Sequence, residues 1–212
     1  MIEAFFDCSS PWTYLAFRNL QQMAAEQQVA VRWRPILVGG VFNKVNPSVY
    51  AMRDNPIPAK WAYMLKDMQD WARRSGLTIH FPPRIFPINS VKAMRACLWL
   101  EPLGRMAPFA AAVFEAYWSR QEDIASDAVL AALAQQVGAD PQALLHGIAQ
   151  PDVKTQLMAN TDELIARGGF GSPTFFIGDD MYFGNDRLGL LMEAAQRLQT
   201  RAAAVPRPFP AA

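Results

Sequence analysis

The chain has 212 residues, of which 51% are hydrophobic and 18% are charged, so it can bury a sizeable core and is not globally disordered. The formal net charge is +1 and no cluster of Lys or Arg is present, which excludes a basic nucleic-acid-binding surface. No apolar run approaches the roughly 18 residues of a membrane-spanning helix, and the first residues lack the basic segment of a secretory signal, so we expect no membrane partner and a cytoplasmic location.

The first 35 residues predict a strand, a helix and a second strand. Residues 2–6 form a short apolar run, and residues 29–34 alternate between apolar and polar side chains. Between them, residues 11–27 show helical spacing, with Ser10 as a natural N-cap and Pro11 at the first helical position. Two strands that are joined through a helix favour a parallel pair.

The middle of the chain is predicted to be mostly helical. Residues 36–57 are rich in Gly, Asn and Pro and are predicted to form a loop, and the prolines within residues 76–88 indicate an irregular connection. Helical spacing and start signals predict helices over 58–74, 90–101, 107–119, 127–137, 141–148 and 152–167.

The last part of the chain returns to β structure. Residues 174–177 and 181–183 predict two strands joined by a hairpin turn, followed by a helix over 186–198. The tail, residues 201–212, contains three prolines and is predicted to be disordered. The order of elements therefore predicts one α/β domain that is interrupted by a block of helices.

The chain contains only two cysteines and two histidines. Cys8 and Cys97 are too few for a disulfide framework and do not form a CxxC pair. With only His80 and His146 beside them, a Cys/His zinc site is not expected, and we predict no metal site. Cys8 is expected to point into the core.

The predicted first helix begins with Ser10-Pro11-Trp12-Thr13. A helix N-terminus offers free N–H groups and the positive end of the dipole, which favour an anion such as a thiolate. Thioredoxin-like proteins use this position to lower the pKa of the first cysteine of a CxxC. Here both sulfur positions carry hydroxyls, so the segment cannot shuttle a disulfide, but it could stabilise a thiolate that a ligand brings. The alternative is that Ser10 is only an N-cap.

Two further segments resemble parts of a peptide-binding site. Pro173 precedes the 174–177 strand, where thioredoxin-like proteins carry a cis-proline that presents the preceding backbone to a ligand. Asp186 opens the predicted last helix, and a carboxylate there could bind an α-amino group. The alternatives are a proline that starts a strand and an acidic helix cap. The occurrence of Pro173 and Asp186 together with Ser10 favours the interpretation as a ligand-binding site.

Taken together, the sequence resembles the family of kappa-class glutathione transferases and 2-hydroxychromene-2-carboxylate isomerases, a thioredoxin-like branch related to bacterial disulfide oxidoreductases. The resemblance runs from about residue 2 to 198 through the stretches FDCSSPWTYL (6–15), RP (34–35), HFP (80–82), FGSPT (170–174) and GNDRL (184–188). It implies a thioredoxin-like α/β fold with a large all-helical insertion. We expect residues 1–45 and 166–200 to form the thioredoxin-like domain and 46–165 the insertion.

The resemblance also implies that the cofactor is glutathione and assigns roles to residues. Ser10 would donate its hydroxyl to the glutathione sulfur, as the catalytic residue. The backbone of Ser172, before cis-Pro173, would pair with the cysteinyl part. Asp186 and Arg187 would hold the γ-glutamyl end.

Other residues near the insertion are assigned by the same resemblance. Asn46 and Lys60 are the best matches for the pair that lies near the glycyl carboxylate, and the alternatives are a turn asparagine and a solvated helix lysine. Asn89 and Ser90 follow the Pro-rich loop and could line the second-substrate pocket, although a helix cap is favoured.

The function that we favour at this point is glutathione-dependent isomerisation of an aromatic acid that resembles 2-hydroxychromene-2-carboxylate. One alternative is a kappa-class-like glutathione S-transferase, which would use the same site. An alternative of another class is a non-redox thioredoxin-like module that binds peptides. A homodimer is implied by the resemblance, and the expected partner is a small aromatic substrate.

Overall fold

A four-stranded mixed sheet lies at the centre of the computed structural model, which describes residues 1–204. The strands are β1 (Ile2–Phe6), β2 (Val31–Pro35), β3 (Thr174–Ile177) and β4 (Asp180–Phe183), in the order β2-β1-β3-β4. β1 is parallel to β2 and antiparallel to β3, and β3 pairs antiparallel with β4. The predicted parallel pair is therefore confirmed. β1 lies between β2 and β3, and its residues are buried almost throughout.

The first helix, α1 (Pro11–Glu26), begins as its sequence predicts. Ser10 is the N-cap, its hydroxyl oxygen accepts a hydrogen bond from the Thr13 N–H at 3.2 Å, and Pro11 occupies the first helical position. One face of the helix packs onto the sheet and the helical block, with buried side chains that include Tyr14, Leu15, Phe17 and Leu20. This packing holds the helix N-terminus at the end of β1.

The predicted loop over 36–57 is wrong, because this segment contains α2 (Val38–Val45) and α3 (Ser48–Asp54). The start of α2 is held from outside its own sequence. The buried carboxylate of Asp7 accepts a hydrogen bond from the Val38 N–H at 2.8 Å, and the Thr161 hydroxyl accepts one from the Leu37 N–H at 3.0 Å. These long-range contacts replace the local cap that the Gly-rich sequence lacks.

The block of helices agrees with the prediction to within a few residues at each end. It consists of α4 (Pro58–Arg74), α5 (Val91–Leu100), α6 (Met106–Trp118), α7 (Asp127–Gln136), α8 (Pro141–Gly147) and α9 (Pro151–Ala166). Its core is centred on α6, where Phe109, Phe114 and Trp118 are fully buried. Phe114 stacks on Tyr14 of α1 with 5.3 Å between ring centroids, so the block and the sheet domain share one core.

A polar network joins α9 to the sheet. Arg34 of β2 is buried, and its guanidinium donates to Glu3 of β1 at 3.0 Å, to Asn160 of α9 at 2.8 Å and to Glu163 of α9. α9 was assigned to the insertion, yet it packs directly on the sheet. The division into residues 1–45 with 166–200 and an insertion over 46–165 stays a prediction.

We expect Glu163→Gln to destabilise the fold in a pH-dependent way. The hydrogen bond and charge of Arg34 lower the pKa of Glu163 below its ordinary value. A lowered pKa stabilises the fold above the unfolded value of about 4.3, and this stabilisation is lost as the pH falls through the folded pKa. Denaturant unfolding at pH 7 should show a loss of about 1 kcal/mol or less, since the side chain is partly exposed, and the difference should shrink as the pH falls below about 4.3 and Glu163 becomes protonated.

The neighbouring pair of Asp162 with Lys44 supplies a control for this prediction. It is also an ion pair of α9, but both side chains are more than half exposed, at 57% and 60%. Asp162→Asn should therefore change the unfolding free energy less than Glu163→Gln at pH 7. Equal losses in the two variants, or a loss at Glu163 that does not shrink as the pH falls below about 4.3, would contradict the assignment.

The C-terminal part forms the predicted hairpin and a final helix. β3 and β4 are joined through Gly178, whose φ of 60° lies in the left-handed region. A 3-10 turn over Asn185–Arg187 precedes α10 (Leu188–Ala204), so the α-helix starts two residues later than predicted and covers the first four residues of the predicted tail. Residues 205–212 of that tail lie outside the described residues. No helix within residues 1–204 is long and apolar enough to cross a membrane.

Candidate active site

The start of α1 meets the loop before β3, and this contact brings two predicted site residues together. The Ser10 hydroxyl donates a hydrogen bond to the Ser172 carbonyl oxygen at 3.2 Å, across 162 positions of sequence. The peptide bond between Ser172 and Pro173 is cis, as predicted. The hydroxyl at the positive end of the helix therefore lies directly beside the backbone that was expected to bind a ligand.

A second pair of hydroxyls lies behind this contact. Thr13, in the position of a resolving cysteine, places its Oγ1 2.8 Å from the Ser172 Oγ, and the Asp7 N–H donates to the same Ser172 Oγ at 3.1 Å. The Thr13 and Ser172 side chains are both buried. Position 13 thus fastens the cis-proline loop to α1, and neither position 10 nor position 13 offers a thiol for disulfide exchange.

The Asp7 carboxylate organises the loop that leads to Ser10. It is buried and accepts hydrogen bonds from the Ser9 N–H at 2.9 Å and from the Val38 N–H at 2.8 Å. Burial raises the pKa of Asp7, and the hydrogen bonds from Ser9, Val38 and Ser90 oppose that rise. Asp7 was not among the site residues predicted from the sequence. Its position at the end of β1, three residues before the helix cap, was the available signal.

The two cysteines lie beneath the same loop. Cys8 and Cys97 are both fully buried, so the prediction that Cys8 points into the core is confirmed. Burial raises the pKa of the Cys8 thiol well above its ordinary value, and the adjacent Cys97 raises it further. The Cys8 carbonyl accepts a hydrogen bond from the indole N–H of Trp118 at 2.9 Å, which ties the loop to the helical block. Among residues 1–204, no group of three or more His, Cys, Asp and Glu side chains could hold a metal ion.

The segment around Asp186 is joined to the cis-proline through its backbone. The Gly184 N–H donates to the Pro173 carbonyl at 3.1 Å. Gly184 has a φ of 97°, and a Cβ there would lie 2.8 Å from Asp186 Oδ1, so glycine lets this carboxylate turn back toward its own backbone. Asp186 and Arg187 form an ion pair, and about half of each side chain is exposed. Both predicted residues are thus accessible beside the cis-proline loop.

The two residues predicted from the insertion are placed differently. Asn46, at the end of α2, donates through its side-chain amide to the Phe170 carbonyl at 3.1 Å, which puts it beside the cis-proline loop. Lys60 is exposed in the first turn of α4. No hydrogen bond or ion pair within the described chain joins Lys60 to the other predicted residues. Asn89 caps the start of α5, since its Oδ1 accepts from the Val91 N–H at 3.0 Å.

An aromatic cluster extends from the Ser10 loop toward α3. We define it as Trp61, Phe81, Phe86, Tyr117 and Trp118. Phe81 lies at its centre, with ring centroids 5.9 Å from Trp61, 5.3 Å from Phe86 and 6.2 Å from Trp118. Tyr117 packs on Trp118 at 4.6 Å. Tyr117 and Trp118 are buried, whereas Trp61, Phe81 and Phe86 are partly exposed and can pack against a planar apolar substrate.

The sheet order, the serine at a helix start and the cis-proline across from it define the chain as thioredoxin-like, with helices inserted between the two halves of the sheet. Residues 1–196 match the DSBA-like thioredoxin domain family, and the chain belongs to it. The thioredoxin-like fold inferred from the sequence motifs is therefore confirmed.

The relatives of this chain within the family belong to two groups of enzymes. A 2-hydroxychromene-2-carboxylate isomerase of Pseudomonas putida is 30% identical, over 93% of this chain and 95% of the relative. Glutathione S-transferase kappa 1 of Homo sapiens is 29% identical, over 90% and 88% of the two chains. A solved structure of a 2-hydroxychromene-2-carboxylate isomerase superposes with a TM-score of 0.82 at 27% identity, covering 97% of this chain and 99% of that one. The resemblance stated from the motifs is confirmed.

Proposed function

We propose that the protein is a glutathione-dependent isomerase of an aromatic acid that resembles 2-hydroxychromene-2-carboxylate, with a role in aromatic degradation. The observation that carries the proposal is the contact between Ser10 and Ser172. It places a hydroxyl, a helix N-terminus and the backbone carbonyl of Ser172 together, with no thiol at positions 10 and 13. Such a site suits a thiol that another molecule brings. The names of the isomerase relatives support the reaction.

The donors at this site fit glutathione. Pro11 has no N–H and the Thr13 N–H is bound to the Ser10 Oγ, so Trp12 supplies the first N–H of α1 that no hydrogen bond within residues 1–204 uses. The single proton of the Ser10 hydroxyl is directed at the Ser172 carbonyl in the free protein. When a ligand amide binds that carbonyl instead, the hydroxyl is released and can donate to the sulfur.

The remaining predicted residues would hold the ends of the tripeptide. Asp186 offers a carboxylate for the γ-glutamyl ammonium, and Arg187 offers a guanidinium for the γ-glutamyl carboxylate. At the other end, Asn46 and Lys60 would hold the glycyl carboxylate. Asn46 is favoured by its contact with the cis-proline loop, whereas Lys60 would have to reach from α4.

The chemistry requires a thiolate at neutral pH. Glutathione supplies a thiol that, once ionised, adds to one carbon of a conjugated double bond of the substrate. That bond becomes single and can rotate, and departure of the thiolate then restores the double bond. A thiol of pKa about 8.5 is only a few per cent ionised at pH 7, and lowering that pKa by about 2 units corresponds to roughly 2.7 kcal/mol. A charge-assisted hydrogen bond from Ser10 together with the α1 dipole is of the right size to supply this difference.

We expect glutathione to bind and not to be consumed during turnover. Millimolar glutathione should raise the melting temperature by mass action, and chromatography should show isomerised acid with an unchanged amount of free glutathione. S-methylglutathione should raise the melting temperature but support no turnover, because it cannot form a thiolate. An absence of both thermal shift and turnover would overturn the proposal.

The same experiment separates the second candidate. A kappa-class-like glutathione S-transferase would use the same serine, and the transferase relative favours it. Its products would be glutathione conjugates, so the amount of free glutathione would fall in proportion to the product. An insulin-reduction assay is expected to be negative for both candidates, because positions 10 and 13 carry hydroxyls.

The proposal includes a homodimer in the cytoplasm. The homodimer is expected from the family resemblance. Analytical ultracentrifugation should therefore show a single species of about twice the chain mass of 23.6 kDa.

A further inference from the structure

Arg53 of α3 is a positive charge held among aromatic rings. Its guanidinium carbon lies 5.1 Å from the centroid of Phe86 and 5.9 Å from that of Tyr50. The residue is partly buried, and within residues 1–204 no ion pair or side-chain hydrogen bond involves it. A guanidinium that stacks on rings is oriented by them while the donors on its edge stay available. This geometry suits two parallel hydrogen bonds to a carboxylate.

The aromatic cluster connects Arg53 to the catalytic serine. Phe86 contacts Phe81, Phe81 lies almost parallel to Trp118 at 16°, and the Trp118 indole donates to the Cys8 carbonyl, two residues before Ser10. The rings therefore form a continuous series of contacts from the loop before Ser10 to Arg53, in which Tyr117 and Trp118 are buried and Phe81 and Phe86, at the Arg53 end, are partly exposed.

Tyr117 packs on Trp118 within the cluster, and charges from both ends of the cluster act on it. Burial raises the pKa of Tyr117, the positive charge of Arg53 opposes this rise, and the negative charge of Asp7 adds to it. Tyr117 itself is held by a hydrogen bond from its hydroxyl to the Ile85 carbonyl at 2.9 Å. Arg53 and the loop before Ser10 are thus both within electrostatic range of one rigid side chain.

We infer that Arg53 is the residue that selects an anionic aromatic substrate by binding its carboxylate, while the aromatic cluster packs against the ring. The inference deepens the proposed function and rests on it for the reaction. Uncharged analogues would lack this ion pair and would be discriminated against, because the guanidinium would remain without a partner. Arg53 would act in binding, so its loss should appear in KM more than in kcat.

The first test measures binding alone. Salicylate, an unreactive aromatic acid, and its methyl ester are compared by thermal shift in the absence of glutathione. The acid should stabilise the wild-type protein more than the ester does, and Arg53→Gln should abolish this difference. Arg74→Gln is the matched control, because Arg74 also stacks on an aromatic ring, that of Trp71 at 5.4 Å, but lies at the far end of α4. It should behave as the wild type.

The second test measures turnover of 2-hydroxychromene-2-carboxylate and its methyl ester with glutathione. Arg53→Gln should lower kcat/KM for the acid at least tenfold, mainly through KM, and change that for the ester less than twofold. Arg53→Lys should be intermediate, since lysine keeps the charge but loses the paired hydrogen bonds.

The outcomes of the two tests are separable. Equal losses for acid and ester, or an acid that binds Arg53→Gln as well as it binds the wild type, would overturn the inference and leave the proposed function intact. Binding of the acid that depends on Arg53, without turnover of either compound, would overturn the proposed isomerase and uphold the carboxylate site.

Discussion

Replacing Ser10 with alanine is expected to reduce glutathione-dependent turnover at least tenfold. The hydroxyl is the donor nearest to the α1 N-terminus that can reach a ligand sulfur, and its removal leaves the thiolate with the helix dipole alone. A tenfold effect corresponds to about 1.4 kcal/mol, which is within the range of one hydrogen bond to a charged group. The pH dependence of turnover should also shift upward, because the bound thiol would ionise at a higher pH.

The same serine caps α1, so its two roles have to be separated. Loss of an N-cap costs about 1 kcal/mol of stability. Ser10→Asp keeps a good capping side chain but has no hydrogen-bond donor when ionised, and it should therefore restore stability but not turnover. Ser9→Ala is the positional control, since it removes the neighbouring hydroxyl and keeps the hydrogen bond from the Ser9 backbone N–H to Asp7. Unchanged turnover in Ser10→Ala at saturating glutathione would refute the role that we assign to this hydroxyl.

Trp118 is expected to give the largest effect on stability. Its side chain is fully buried in the centre of the helical block, and truncation to alanine should cost about 3–5 kcal/mol in denaturant unfolding. Trp118→Phe keeps most of the ring but leaves the buried Cys8 carbonyl without its donor, which should cost about 1–3 kcal/mol. Both variants should also lower turnover, because the released carbonyl lies two residues before Ser10.

Trp71→Phe is the matched control for this experiment. Trp71 packs against the same core from α4, and no hydrogen bond within the described chain uses its indole N–H. The Trp118→Phe variant should therefore be the less stable of the two, and only it should affect turnover. If the two variants were equally stable and equally active, the tether between Trp118 and the Ser10 loop would be unimportant.

The parts of the fold that could be predicted from the sequence depend on short-range signals. Ser10 and Pro11 match the preferred N-cap and first helical positions, and Pro173 precedes an apolar β run, so both halves of the Ser10–Ser172 contact were visible. Their meeting followed from the resemblance to a known family, since the two serines are 162 residues apart.

The parts that could not be predicted depend on contacts between distant segments. The Val38 N–H at the start of α2 donates to the Asp7 carboxylate, 31 residues earlier in the chain. The sequence of α2 itself, with Gly39 and Gly40, favours a loop. The surroundings of Arg53 come from Tyr50 on its own helix and from Phe86, beyond the whole of α4. No periodicity of the sequence reveals that these rings meet, so the cation was not recognised as part of a site.

The depth at which the cysteines lie has a consequence for an enzyme that handles electrophiles. A substrate that is reactive enough to accept a thiolate from glutathione could equally alkylate an accessible protein thiol and inactivate the enzyme. Cys8 is two residues from Ser10, yet it and Cys97 are fully buried, and burial keeps Cys8 in the protonated form. Only the thiolate is nucleophilic. With glutathione as the nucleophile, as we propose, the burial of both cysteines favours reaction of the electrophile with glutathione over alkylation of the protein.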